Sequence, residues 1–347
     1  MIKKNYLLLF IFIFTTTIIK AQYSVDLNFN GLSFLDNHEY KDFVDRSHTY
    51  SGTRLAIDFG LNLDSLHHFV FGVNGIHEFG AIPFFLKVDP IAYYKFQSKK
   101  WLFQAGEFSR KGLLDNYPRA LLNDTLQYYR PNIEGLLARY QNHYFTETGW
   151  LDWVSRQTNT EREQFLFGAE GKYTPALNGM FYVSHYFFLE HNAGAAILLP
   201  NDHIQDNGGA QIRLGLNFTK KQHLFDSLSV EAGVMTSLER TRGIDGLQTP
   251  KGFVASFFGS YKHFAAYNEF YIGDGSHINY GDSFYTKHYY DRLDLIFTPF
   301  LTGHIKGQFV LSFHKTPDYT SNQEVFRLTY DLGRKIIAKF KPDNSWL

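Results

Sequence analysis

The sequence predicts an all-β protein whose strands close into a transmembrane, antiparallel up-and-down barrel of about 16 strands, with roughly 14 to 18 as the bounds. Three observations predict it. Stretches of about ten residues alternate apolar and polar side chains, the unit a tilted membrane-crossing strand requires. Aromatics make up 18% of the 347 residues, as 35 Phe, 23 Tyr and 4 Trp. Short and long connections take turns along the chain, as they do when every hairpin opens to the same side.

The elements follow in order. Lys3 and Lys4 precede an apolar run from Tyr6 to Phe14, which Thr15 to Thr17 interrupt well short of the ~20 residues of a membrane helix. With Ala21 as a small residue for cleavage, residues 1–21 read as a secretory signal peptide, and residues 22–347 as one barrel domain. A strand sends successive side chains to opposite faces. In TRLAIDFGLNLD, Leu55, Ile57, Phe59, Leu61 and Leu63 therefore share one face, and Arg54, Asp58 and Asn62 the other. AQIRLGLNF splits Ile212, Leu214, Leu216 and Phe218 from Gln211, Arg213 and Asn217. HIKGQFVLSF sets Ile305, Phe309, Leu311 and Phe313 against His304, Lys306, Gln308 and Ser312. EVFRLTYDL sets Phe326, Leu328, Tyr330 and Leu332 against Arg327, Thr329 and Asp331. The short links fall near residues 64–67, 97–100, 141–143, 174–178, 219–224, 262–264 and 298–302. The long ones fall near 33–49, 110–131, 155–161, 191–207, 239–251, 273–283 and 315–322, with a tight turn at 81–83 where a long loop is due. An even strand count places both termini at the short-turn end.

Composition excludes other classes. There is no cysteine, hence no disulfide framework, thiolate metal site or Cys nucleophile. Formal charge is zero, with 34 basic and 34 acidic residues spread along the chain, which argues against a nucleic-acid partner.

Strand series, leader and turn alternation together resemble a porin-like outer-membrane β-barrel of Gram-negative bacteria, over essentially the whole mature chain. The resemblance is architectural and rests on no residue motif. It implies location in the outer membrane, outer-membrane lipid as surroundings, and transport of small hydrophilic solutes by passive diffusion. A non-enzymatic scaffold for an envelope, secretion or surface-glycan assembly complex is the alternative, and a homo-oligomer or envelope complex is compatible with either. The chain ends KFKPDNSWL rather than on the aromatic that closes many such barrels, so Phe340 or Trp346 would have to serve.

The site expectations are these. Residues 110–132 carry the pairs Leu113–Leu114 and Leu121–Leu122, unusual in a solvated loop. They should fold inward as a plug or cap the rim as a lid, with Arg110, Lys111, Asp115, Arg119, Asp124 and Arg130 at the constriction. Strand parity sends Arg54, Asp58, Arg139, Glu170, Lys172, Arg213, Glu231, Arg292, Asp294, Lys306, Arg327 and Asp331 to the lumen. Both signs occur there in similar number, which predicts no strong ion selectivity. Trp150, Asp152, Trp153, Arg156, Arg162 and Glu163 crowd one loop, as a sugar or headgroup clasp or an interfacial girdle. No HExxH, GxSxG or EF-hand pattern occurs, and His67, His68, His185 and His191 lack zinc spacing. Ser184 and His185, as strand neighbours, point to opposite faces. The motif reading is therefore no enzyme, no catalytic residue, no cofactor and no metal.

Overall fold

The computed structural model describes residues 23–41, 46–175, 179–197 and 202–340. The segment read as a signal peptide and Trp346 lie outside the described residues. Seventeen strands form one antiparallel sheet. They are β1 (Tyr23–Glu39), β2 (His48–Asn62), β3 (His67–Glu78), β4 (Lys87–Gln97), β5 (Trp101–Ser109), β6 (Asn132–Gln141), β7 (Phe145–Ser155), β8 (Gln164–Tyr173) and β9 (Phe181–Asn192). The series continues with β10 (Gln205–Asn217), β11 (Ser227–Thr241), β12 (Lys251–Tyr261), β13 (Phe264–Gly273), β14 (Tyr289–Leu301), β15 (Ile305–Lys315), β16 (Thr320–Asp331) and β17 (Lys335–Phe340).

Each strand pairs with the next from β1 to β16, and β16 returns to β1, with Asp331 opposite Asn30 and Asn322 opposite Glu39. β17 takes over where β16 stops, placing Lys335 opposite Leu27 and Phe340 opposite Tyr23. Between them the Leu332 amide still donates to the Phe29 carbonyl at 2.9 Å. β16 and β17 are thus two halves of a sixteenth strand, broken at Gly333, whose φ of 64° costs a residue with a Cβ dearly. Arg334 leaves this break for the interior and bridges Asp26 and Asp58 at 2.7 Å each. The expectation of a closed barrel of about 16 strands is borne out.

Short turns share one end with Tyr23 and Phe340, and the long connections share the other. The outer wall is mainly apolar: Leu55, Ile57, Phe59, Ile212, Leu214, Phe309 and Leu311 are exposed, while Arg54, Asp58, Arg213 and Ser312 on the same strands are buried inside. Apolar outside and polar inside is the order required of a barrel wall in lipid.

Five details differ from the sequence reading. The link expected to be long at 315–322 closes in the four residues 316–319. β1 runs through 33–39, because β2 and β16 pair with it on both sides that far, with Ser33 opposite Thr53 and Leu328 and His38 opposite His48 and Gln323. His304 lies in the turn before β15 and contacts the Asp331 carbonyl at 2.9 Å, so it does not face the lumen. The link at 81–83 is the centre of an eight-residue loop, 79–86, in which Phe79, Ile82, Phe84 and Phe85 are exposed, Ile82 at 97%. Trp150 and Trp153, three apart, point to opposite faces: Trp153 is outside, but Trp150 is buried inside against Tyr117 and Phe188 and so belongs to no girdle.

Candidate functional site: a filled interior and an outward polar island

The 110–131 segment turns into the barrel because its apolar residues have a wall to meet. Leu114, Tyr117, Ala120, Leu121 and Leu122 are buried against Trp150, Leu166, Phe188, Met235 and Val254. Its base is held by one carboxylate. Asp152, with no exposed surface, takes the guanidinium of Arg110 and that of Arg130, the latter at 2.7 Å, and accepts the Glu134 amide at 3.0 Å. Arg110 also donates to the Arg130 carbonyl at 2.9 Å, tying the two ends of the segment together.

Its far side docks on a second inward loop, 274–288, which the sequence reading took only as a polar connection. The Asn123 amide donates to the Tyr280 carbonyl at 2.7 Å and the Asp282 amide to the Arg119 carbonyl at 2.8 Å. Ile278, Tyr280, Phe284 and Tyr285 were the signal available in the sequence, since four large apolar or aromatic residues suit no solvated loop. Near the end of the first segment, a one-turn helix α1 (Leu126–Tyr129) brings Tyr128 to stack on Phe34, with ring centroids 4.1 Å apart. The Tyr128 hydroxyl donates to Asp36 and receives Arg327 Nε.

Arg119 pairs with Asp124 at 3.0 Å and Asp294 at 3.2 Å, and Arg327 stands 3.6 Å from Asp124. Burial pushes the Asp124 carboxyl upward, but Arg119, Arg327 and Arg292 outweigh it and hold it well below the usual carboxylate range. For Asp282 the balance is reversed: burial raises its carboxyl despite Arg292.

The remaining expected lumen residues are mostly paired on the wall. Arg139 donates to the Leu113 carbonyl and stands 3.7 Å from Glu170. Arg213 bonds Glu269 at 2.9 Å and lies 3.5 Å from Glu231, Lys172 sits over the Tyr182 ring, and Tyr182 donates to Glu231. Arg292 pairs with Asp294 and Asp282. Lys111 meets Asp331 at 3.0 Å, Asp115 accepts the Gly112 amide, and Lys306 stands exposed at the short-turn end. Two cavities among the described residues flank the plug. One, of about 650 Å³, lies against Glu170, Lys172, Arg213 and Glu231, and the other, of about 440 Å³, against Arg54, Arg110, Lys306 and Arg327.

Arg162, from the group of polar residues near Trp153, ties loops instead: it pairs with Asp202 at 2.6 Å and donates to the Ala193 carbonyl.

A second site lies outside the wall, where sequence reasoning did not look. At the long-loop end of β16, β1, β2 and β3, polar side chains replace the outward apolar row. Asn37 stands between Glu324 and Thr49 in the pairing register. Its amide donates to Glu324 at 2.9 Å and to Glu39 at 3.1 Å, and its carbonyl accepts the Thr49 hydroxyl at 2.7 Å. Asn322 donates to the other oxygen of Glu324. Two rows lower, Ser33, Thr53 and His77 stand side by side, with the Ser33 and Thr53 hydroxyls 3.0 Å apart. Ser51 lies between these rows, opposite Leu35. The His77 Nδ1 bonds the Phe84 carbonyl and its ring stacks on Phe84. A carbonyl only accepts, so Nδ1 carries the proton and Nε2 the lone pair.

Apolar residues enclose this island. Leu311 opposes Glu324 from β15, Phe313 opposes Asn322, and Phe326 and Leu328 lie below. Loop 79–86 folds down the outer wall beside it: a Cβ on Gly75 would meet the Phe85 ring at 3.0 Å, so a larger residue there would push the ring outward by a few tenths of an ångström.

A 16-strand barrel with an apolar exterior and a polar, partly filled interior defines an outer-membrane β-barrel of porin-like fold. Within that class the chain belongs to the Lipid A 3'-O-deacylase-type family, whose family model matches residues 18–342. Solved structures agree on the fold. A loop L8 deletion mutant of OmpT, an outer membrane protein of Vibrio cholerae, superposes with a TM-score of 0.57 at 10% identity, covering 89% of this chain and 99% of that one. OccK8 (OprE) of Pseudomonas aeruginosa gives 0.56 at 10% identity, covering 90% and 98%, and a BenF-like porin from Pseudomonas fluorescens Pf-5 gives 0.51 at 10%, covering 89% and 98%. No curated protein matches the sequence significantly. The family corrects one expectation: the chain was read as no enzyme because short linear motifs were missing, whereas it belongs to an enzyme-type family recognised by a pattern spread over residues 18–342.

Proposed function

We propose that the protein hydrolyses an acyl ester of an outer-leaflet lipid, with lipid A the substrate class its family suggests, on the outward face of β16, β1, β2 and β3. The observation that carries this reading is the hydrogen-bonded polar island that spans four adjacent strands of the outer wall, where other outward polar groups form smaller sets such as His185 with Glu147 and Asn268 with Asp291. Polar groups are costly in hydrocarbon unless they have work or partners there. A glycolipid presents its ester groups at that depth, between headgroup and acyl chains. His77 Nε2 is the base, taking a proton from a wall hydroxyl or from water. Cross-strand neighbours stand about 5 Å apart, which puts Thr53 within its reach. Water adds across the ester carbonyl, the acyl C–O bond breaks, and a fatty acid and the sugar hydroxyl leave. Asn37, Thr49 and Glu324 meet the polar headgroup, and Phe79, Ile82 and Phe84 meet acyl chain.

The test is the lipid A of cells producing the protein, read by mass spectrometry. Wild type should remove the mass of one acyl chain, and His77→Ala and Glu324→Gln should abolish the loss while still yielding a folded, heat-modifiable barrel. Unchanged lipid A in wild-type cells overturns the reading.

A second reading, passive diffusion of small hydrophilic solutes through the interior, is favoured by the two cavities flanking the plug. It places Arg110, Lys111, Asp115, Arg119, Asp124 and Arg130 at the constriction.

A further inference from the structure

We propose that the 440 Å³ interior cavity is a binding site for a small organic or inorganic anion, a carboxylate or a phosphate, entering from the short-turn end. Six cations line this cavity, Arg54, Arg110, Lys111, Arg119, Lys306 and Arg327, against two carboxylates, Asp115 and Asp124. Four of the six are already paired: Arg110 with Asp152, Lys111 with Asp331, Arg119 with Asp124 and Asp294, and Arg327 with Asp124. Arg54 and Lys306 form no salt bridge among the described residues.

Arg54 is the stronger indication. It is 4% exposed, its Nη atoms reach only the neutral side-chain oxygens of Asn74 and Asn30 at 3.3 Å, and its Nε has no hydrogen-bond partner. A buried guanidinium without a carboxylate is costly, and a bound anion would remove that cost.

Register places the two unpaired cations together. Lys306, Thr329, Leu32 and Arg54 lie opposite one another on β15, β16, β1 and β2, so one inward row carries a cation at each end with a hydroxyl and a leucine between. Gln308 and Gln127 add amide donors to the lining, and Leu114, Leu122 and Leu126 give it an apolar side. Charge at the ends and apolar surface between suit an anion with a small apolar body, and the volume is that of ordinary small-molecule sites. Lys306, exposed near the turn at 302–304, marks the mouth, and the plug closes the opposite side.

The test is fluorine NMR of the full-length protein in detergent, with 4-fluorobenzoate as probe and 4-fluorobenzyl alcohol as its neutral counterpart. The expected result is saturable broadening of the benzoate signal, with the alcohol at least about tenfold weaker. Arg54→Gln and Lys306→Gln should each weaken benzoate by about tenfold or more, as loss of a charge-assisted bond does, while Lys220→Gln on a distant turn should not. Displacement by inorganic phosphate but not acetate assigns the site to phosphates, and the reverse to carboxylates. Equal binding of the alcohol, wild-type affinity in the variants, or no saturable binding at millimolar probe overturns the proposal. Should Arg54→Gln fail to fold, Lys306→Gln at the exposed mouth decides alone.

Discussion

Phe309 and Gln308 are adjacent on β15 yet meet different surroundings. Phe309 packs on Phe326 with ring centroids 4.8 Å apart on the outer wall, whereas Gln308 lines the interior cavity. Arginine at position 309 should therefore cost about 2 to 4 kcal/mol if the site lies at the bilayer midplane, and arginine at 308 little. Denaturant titration of the refolded barrels would show this as a shifted midpoint for the first variant alone, and equal shifts would refute the assigned faces. Parity made this contrast legible, since inside and outside follow from position along a strand. What parity could not reveal is which inward charge meets which. Asp152 is central because Arg110 and Arg130, at the two ends of a 22-residue excursion, converge on it from another strand.

At the scale of elements, the plug is one unit of local structure pinned at its base, through its middle and at its far side. Deleting residues 113–128 leaves the Arg110 and Arg130 anchors to Asp152 in place and removes the apolar residues that fill the barrel. In a planar bilayer the deletion should give a steady conductance larger than that of the intact protein, and silence in both would end the diffusion reading. Acid should loosen the same element. The Asp124 carboxyl titrates below its ordinary value, so its pairing with Arg119 and Arg327 contributes stability that is complete above about pH 4 and is lost as pH falls further. Asp282, raised by burial, acts in the opposite sense, since its protonated form is the favoured one, and it partly offsets the loss. Protease cleavage within 113–128 should accordingly appear only in strongly acidic solution, and cleavage that was constant from neutral pH to pH 3 would count against this linkage. The sequence marked the first inward loop through Leu113–Leu114 and Leu121–Leu122. The mark of the second, Ile278, Tyr280, Phe284 and Tyr285, is weaker, because these residues are spaced among Gly, Asp and Ser that read as ordinary turn residues.

Across the whole molecule, composition and alternation were enough for architecture, since a membrane wall repeats one rule on every strand. The outward island escaped notice because it breaks that rule on β16, β1, β2 and β3 at once. Ser33, Asn37 and Thr49 fall within a stretch that reads as a polar loop and Thr53 opens the strand after it, while Glu324 lies about 290 residues beyond Ser33, beside them only after closure. That seam has a kinetic meaning. β1 must wait for the last strand, so the contacts joining Tyr23 to Phe340 and Asn30 to Asp331 span almost the entire chain and are the most expensive in loop entropy of any in the barrel. Because Asn37 and Glu324 meet across the same seam, the β16 side of the outward island is absent from a half-assembled barrel, whereas Ser33, Thr53 and His77 already share β1, β2 and β3. The headgroup side of the proposed site is thus completed only when the barrel closes, which ties the proposed surface chemistry to the last step of assembly.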